Sequence, residues 1–126
     1  MAVKYHTVAR GNPSDRNAPK KYYPVVKSTG RVRQRDLARQ AAEISTLSSA
    51  DLAAALEIFL TIIPRELANG NIVDLGDFGT FSLRIRGAGA DTEDAFTVHN
   101  ITQVVAAFRP GQLFKQTLDN AKFEKA

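Results

Sequence analysis

Residues 70–86 read GNIVDLGDFGTFSLRIR, and the spacing of apolar residues changes within them. Asn69-Gly70 is a helix stop. Ile72-Val73-Asp74-Leu75 then reads as a strand, Gly76-Asp77 as a turn, and Phe78 to Arg86 as a longer strand with a two-residue period. On that longer strand Phe81, Leu83 and Ile85 share one face, while Ser82, Arg84 and Arg86 share the other.

Upstream the period is helical. Leu37, Ala41 and Ile44 recur at helical spacing and predict a helix over 34–44. Ser45-Thr46-Leu47-Ser48 breaks it, and Ser48 with Asp51 reads as a new N-terminal cap. A long helix follows from Ser49 to Ala68. Leu52, Leu56, Phe59, Leu60, Ile63 and Leu67, flanked by Ile58 and Ile62, give it an apolar stripe wide enough for burial on more than one side. Pro64 lies inside it and predicts a kink. Downstream, Gly87–Asp94 (GAGADTED) has no period and reads as a flexible loop. Phe96–Phe108 alternates and predicts a third strand, ended by Arg109-Pro110-Gly111. A last helix is expected over 111–120, with Leu113, Phe114 and Leu118 apolar.

Ahead of these elements, residues 2–9 alternate loosely and predict a strand. Gly11-Asn12-Pro13-Ser14-Asp15 is turn chemistry. Lys21–Lys27 reads as a second short extended piece, with Pro24 arguing for an edge position or against a strand. The fold class is α+β. Two amphipathic helices and a small sheet leave more apolar surface than one chain of this size covers, so a dimer burying the long helix is expected.

Composition narrows the function. The chain has 126 residues, 44% hydrophobic and 24% charged, which is ordinary globular usage. It has no Cys, so disulfides, Cys-based zinc sites and a Cys nucleophile are excluded, and a reducing cytoplasm is the expected location. His6 and His99 are its only histidines, too few for a His-rich metal site. No apolar run approaches a membrane span, and no secretory signal is visible at the N-terminus. No Ser/His/Asp or Cys/His arrangement and no P-loop occurs, so neither an enzyme nor a cofactor nor a small-molecule substrate is expected. Asp91, Glu93 and Asp94 read as a plain acidic loop rather than a metal site. The net charge of +4 hides an asymmetry. Residues 1–39 hold ten Lys/Arg against two Asp/Glu, whereas residues 40–126 hold seven against eleven. A basic third on an acidic body suggests a polyanionic partner. Tyr5, Tyr22 and Tyr23 read as packing residues, with base stacking as the alternative.

Gly70, Val73, Leu75, Phe78-Gly79-Thr80-Phe81, Arg84, Arg86 and Phe108-Arg109-Pro110-Gly111, followed by Leu113 and Lys115, resemble the HU and integration host factor family of bacterial histone-like proteins. That resemblance covers about residues 31–120. Lys20-Lys21-Tyr22-Tyr23-Pro24-Val25 resembles the N-terminal extension of longer HU-like proteins of the Bacteroidetes. The resemblance implies one HU-like domain over 1–126, with a basic extension (1–30) ahead of the core (31–126). It implies a helical dimer body, an antiparallel sheet saddle, a short β-arm and a C-terminal helix. The homodimer would form through the long helix, residues 49–69, and the sheet. The implied function is architectural, largely sequence-nonspecific binding of duplex DNA in the bacterial nucleoid, through phosphate contacts. Arg84 and Arg86 match cations at the arm base, Arg109 the first basic position after the last strand, and Lys115 a helix lysine near the phosphates. The charge-dense set Lys20, Lys21, Lys27, Arg31, Arg33 and Arg35 completes the expected DNA-binding residues.

The departures from the family are concentrated at the arm. Residues 87–95, at its tip, hold no Pro, Arg or Lys, but do hold Asp91, Glu93 and Asp94. Nothing there wedges between base steps, and the minor groove repels the carboxylates. Gln112 stands where the family has a cation, and Arg33 near a helix start where Thr or Ser is usual. A second reading therefore stays open: a protein-interaction module on the same fold, with weak or no DNA binding.

Overall fold

A computed structural model describes residues 2–126. In chain order its elements are β1 (Val3–Arg10), β2 (Lys21–Val26), α1 (Gln34–Glu43), α2 (Ser49–Ala68), β3 (Val73–Asp74), β4 (Gly79–Gly87), β5 (Ile101–Pro110), α3 (Gln112–Asp119) and β6 (Phe123–Lys125). They fall into two compact units, one of residues 34–116 and one of the chain up to Arg33 with Thr117–Ala126.

The larger unit holds the helix pair and a sheet of order β3-β4-β5. The Ser48 hydroxyl accepts the Asp51 N–H at 3.1 Å and starts α2 as its sequence requires. The helix runs unbroken through Pro64. It ends at Asn69-Gly70, where Gly70 adopts φ 86° and its N–H bonds to the Leu67 carbonyl at 2.9 Å. Ala38 of α1 and Leu67 of α2 are the only buried apolar side chains among the described residues.

Gly79 opens β4 at φ 149°, a conformation that L side chains rarely adopt. A Cβ there would lie 2.5 Å from the Phe108 ring and 2.7 Å from the Arg109 carbonyl oxygen. The Phe-Gly-Thr-Phe run thus needs glycine because β5 passes directly over it. Phe78, Phe81, Phe108 and Phe114 then gather into one aromatic cluster, with neighbouring ring centroids 4.7 to 5.6 Å apart. Phe78 and Phe108 are nevertheless half-exposed in the single chain, not the enclosed core residues their type suggests.

Two sequence expectations need correction. Phe96–Asn100 is not strand. Residues 98–100 form a single 3-10 turn in which the Thr97 N–H donates to the Asn100 side chain at 3.0 Å. The Asn100 carbonyl also accepts the Ala88 N–H at 2.9 Å, and the register slips between Arg86 and Gly87. Local bonds at Asn100 therefore end the ladder that the alternation predicts to continue. The strand expected over 72–75 is likewise only the two residues Val73–Asp74.

The smaller unit is a sheet of order β2-β1-β6. β2 is antiparallel to β1 and lies at an edge, where Pro24 removes no ladder bond that the sheet needs. β6 is parallel to β1, an element that the sequence did not announce. Val3 N–H bonds to the Lys122 carbonyl at 2.7 Å, Ala126 N–H to the Tyr5 carbonyl at 2.9 Å, and Lys4 pairs with Glu124 at 2.7 Å.

Candidate nucleic-acid interface

The β4–β5 register decides which cations meet. Arg84 lies opposite Val105, Arg86 opposite Gln103, and Thr80 opposite Arg109. Paired residues share a face and alternate residues return to it, so Arg84, Arg86 and Arg109 stand on one side of the ribbon. From Arg109, beside Thr80, to Arg86 the row spans six residues of β4, about 20 Å. The other side carries the Phe81–Phe108 pair, Leu83 and Ile85. The aromatic cluster lies behind the cation row. Asp74 lies in register with Thr80 at the Arg109 end, and its carboxylate accepts the Gly76 N–H at 2.8 Å.

The same cluster positions Lys115. The Gly111 N–H bonds to the Phe78 carbonyl at 3.0 Å, and the Phe114 ring meets Phe78 and Phe108 edge-on. α3 is thereby fixed against the sheet, with Lys115 exposed on it. Arg35 is exposed in the first turn of α1. Lys21 lies in β2, Lys20 just before it, and Lys27, Arg31 and Arg33 in the segment after it. All ten expected cations are exposed. The fold brings Arg84, Arg86 and Arg109 onto one face, whereas Lys20, Lys21, Lys27, Arg31 and Arg33 belong to the smaller unit.

Charge divides along the same boundary. The smaller unit holds ten Lys/Arg against three Asp/Glu, a net +7. The larger holds seven against ten, a net −3. Asp91, Glu93 and Asp94 are all exposed in the loop that joins β4 to β5. No cluster of potential metal ligands occurs among the described residues. No helix among them is long and apolar enough to cross a membrane.

Arg10 escaped the sequence reading. It lies directly opposite Lys21 in the β1–β2 ladder, with its guanidinium 5.9 Å from the Tyr23 ring centroid. The available signal was the turn-rich stretch 11–20, which folds a strand ending in Arg10 back against one beginning at Lys21.

An α+β chain with a helix pair, a three-stranded sheet with a cationic ribbon and a short C-terminal helix has the architecture of the HU and integration host factor class. Residues 1–125 match the family described as an HU domain fused to a winged helix-turn-helix, Ig or glycine-rich motif, and the chain belongs to that family. It is 33% identical over 92 residues to the integration host factor alpha subunit of Vibrio atlanticus, covering 71% of this chain and 94% of that one. The Escherichia coli O139:H28 alpha subunit is 35% identical over 77 residues, 60% of this chain and 78% of the relative. A solved structure from Bacteroides vulgatus ATCC 8482 shares the fold, with TM-score 0.68 and 14% identity over 98% of this chain. This chain spans 47% of that longer one.

Proposed function

We propose that this protein is an architectural DNA-binding protein of the bacterial nucleoid, acting in the cytoplasm as a homodimer that grips duplex phosphates with little sequence preference. The observation that carries the reading is the row Arg84–Arg86–Arg109 on one face of a sheet whose other face is apolar. Guanidinium forks along an extended ribbon suit phosphate oxygens, which position a duplex without reading its bases. No catalytic step is part of this function.

The exposed area of the single chain favours a dimer. The chain exposes 10,900 Å², whereas a folded monomer of 13.8 kDa exposes about 6,600 Å². Ile58, Phe59 and Leu60 on α2 are 43 to 61% exposed. Covering each such side chain is worth about 1.5–3 kcal/mol, so a second copy seated on α2 supplies the core that one chain lacks.

Anisotropy of a labelled random-sequence duplex of about 30 base pairs, titrated at several salt concentrations, tests the reading. Three arginines from each of two protomers give about six phosphate contacts, and log K then falls by about 5 for each tenfold rise in salt. The exposed carboxylates of residues 91–94 favour the other reading, a protein-interaction module. Absence of duplex binding at low salt would leave that one standing.

A further inference from the structure

We propose that the face of the β1–β2 ribbon carrying Arg10 and Lys21 is a second phosphate-binding site, which takes a nucleic-acid backbone independently of the Arg84–Arg86–Arg109 row. The inference rests on the nucleic-acid reading above and adds a separate binding surface to it.

The ladder register sorts this ribbon into two unlike faces. Tyr5, Pro24 and Val26, with Phe123 of β6, enclose an apolar cleft on one side. Lys4, His6, Val8 and Arg10 alternate onto the other, opposite Val25, Tyr23 and Lys21. Arg10 and Lys21 are direct cross-strand neighbours, and like charges so placed repel each other. Neither has an ion pair among the described residues. Asp15, the one carboxylate in residues 1–33, turns an oxygen onto the Asn17 N–H at 3.0 Å. An anion shared between the two cations would convert repulsion into attraction.

The surroundings suit a phosphate. Arg10, Asn12, Lys21 and Tyr23 line a cleft of about 420 Å³. Its loop is built in advance: Asn12 Oδ1 accepts the Ser14 N–H at 2.9 Å, and the Asn12 carbonyl accepts the Asp15 N–H at 3.2 Å. Arg10 offers a fork, Lys21 a point charge, and Tyr23 a half-exposed ring on which a sugar or base can rest. The cations also extend beyond one phosphate. Lys27, whose N–H bonds to the Lys4 carbonyl at 2.8 Å, lies about 20 Å along the ribbon from Arg10, beside Lys4, whose ammonium is itself paired with Glu124 at 2.7 Å. That length matches about six phosphates of one duplex strand, so a polymer is the ligand rather than a free anion.

The test compares the full-length chain with Arg10→Gln/Lys21→Gln and with Arg84→Gln/Arg86→Gln, each titrated with the same 30-base-pair duplex. Circular dichroism checks that each variant folds. Losing two phosphate contacts from each of two protomers lowers the salt slope by about 3.6 and weakens binding roughly 4,000-fold at 0.1 M salt. The proposal expects that loss for Arg10→Gln/Lys21→Gln, additive with the loss for the Arg84/Arg86 pair. An unchanged slope in Arg10→Gln/Lys21→Gln, with the wild type binding, overturns this site and spares the proposed function. A wild type that binds no duplex overturns both. Inorganic pyrophosphate is titrated in parallel by NMR at the Gly11, Asn12 and Tyr23 amides. Saturation by pyrophosphate with the duplex slope unaffected by the substitutions marks a free-anion site and also overturns the proposal.

Discussion

Two antiparallel ribbons in this chain share one plan and differ in what lies behind them. Both hold cations near the two ends of about 20 Å of one face and place apolar residues on the other. Behind β4–β5 stands a cluster of four phenylalanines, within a unit of net charge −3. Behind β1–β2 stand Tyr5, Pro24, Val26 and Phe123, within a unit of net charge +7. At physiological salt, charges more than about 8 Å apart are largely screened from one another. The closest cations, Arg84 and Arg86 about 7 Å apart along β4 and Arg10 and Lys21 directly across the ladder, therefore decide phosphate contact more than the net charge of a unit does. An acidic unit can still hold a phosphate-binding ribbon, and a basic unit adds long-range attraction that salt removes first.

The largest expected effect lies in the unit whose packing is incomplete. Phe59 is 61% exposed on α2 and sits in the apolar face that a second copy would cover. Phe59→Glu places a carboxylate there and should weaken the dimer at least 100-fold, about 3 kcal/mol. Sedimentation equilibrium reads this directly. An unchanged dimer would mean that α2 is not the interface, and both ribbons would then belong to units with uncovered apolar faces.

Next in size is Gly79→Ala. The added Cβ meets the Phe108 ring and the Arg109 carbonyl in a backbone conformation at φ 149°. A loss of about 2–3 kcal/mol is expected, near 10 °C in Tm. Gly89→Ala, with open space around its Cβ site, is the control and should shift Tm by no more than about 2 °C. Equal shifts in the two variants would remove the close approach of β5 as the reason for glycine in the β4–β5 ribbon.

What the sequence made legible follows from the range of the interactions. The bounds of α2 were readable because Ser48 and Gly70 act on backbone groups a few residues away. The faces of β4 were readable because alternation is local. Arg109 was already a candidate, but its place beside Arg84 and Arg86 depends on a register that the irregular connection at Gly87–Asn100 conceals. β6 was illegible for a stronger reason. Phe123 pairs with Val3 from the far end of the chain, and three residues carry too little pattern to announce a strand. Arg10 went unseen because its meaning comes from Lys21 across the ladder, not from its own neighbours.

The smallest expected effect separates structure from charge in the β1–β2 ribbon. Lys4 and Glu124 join β1 to β6 at 2.7 Å, with side chains 39% and 61% exposed. An exposed pair of this kind is worth about 0–1 kcal/mol, so Glu124→Gln should shift Tm by less than about 5 °C. Its effect on binding should have the opposite sign. The neutral amide would no longer offset the charge of Lys4, and the cation row that begins at Arg10 would gain a free member. Duplex binding should tighten, and the salt slope should steepen by about 1.8 for one further phosphate contact on each of two protomers. The same substitution cannot strengthen a ribbon that makes no phosphate contact. An unaltered slope would therefore confine nucleic acid to the Arg10 end of the face, whereas a steeper one would show that the row works along its whole length.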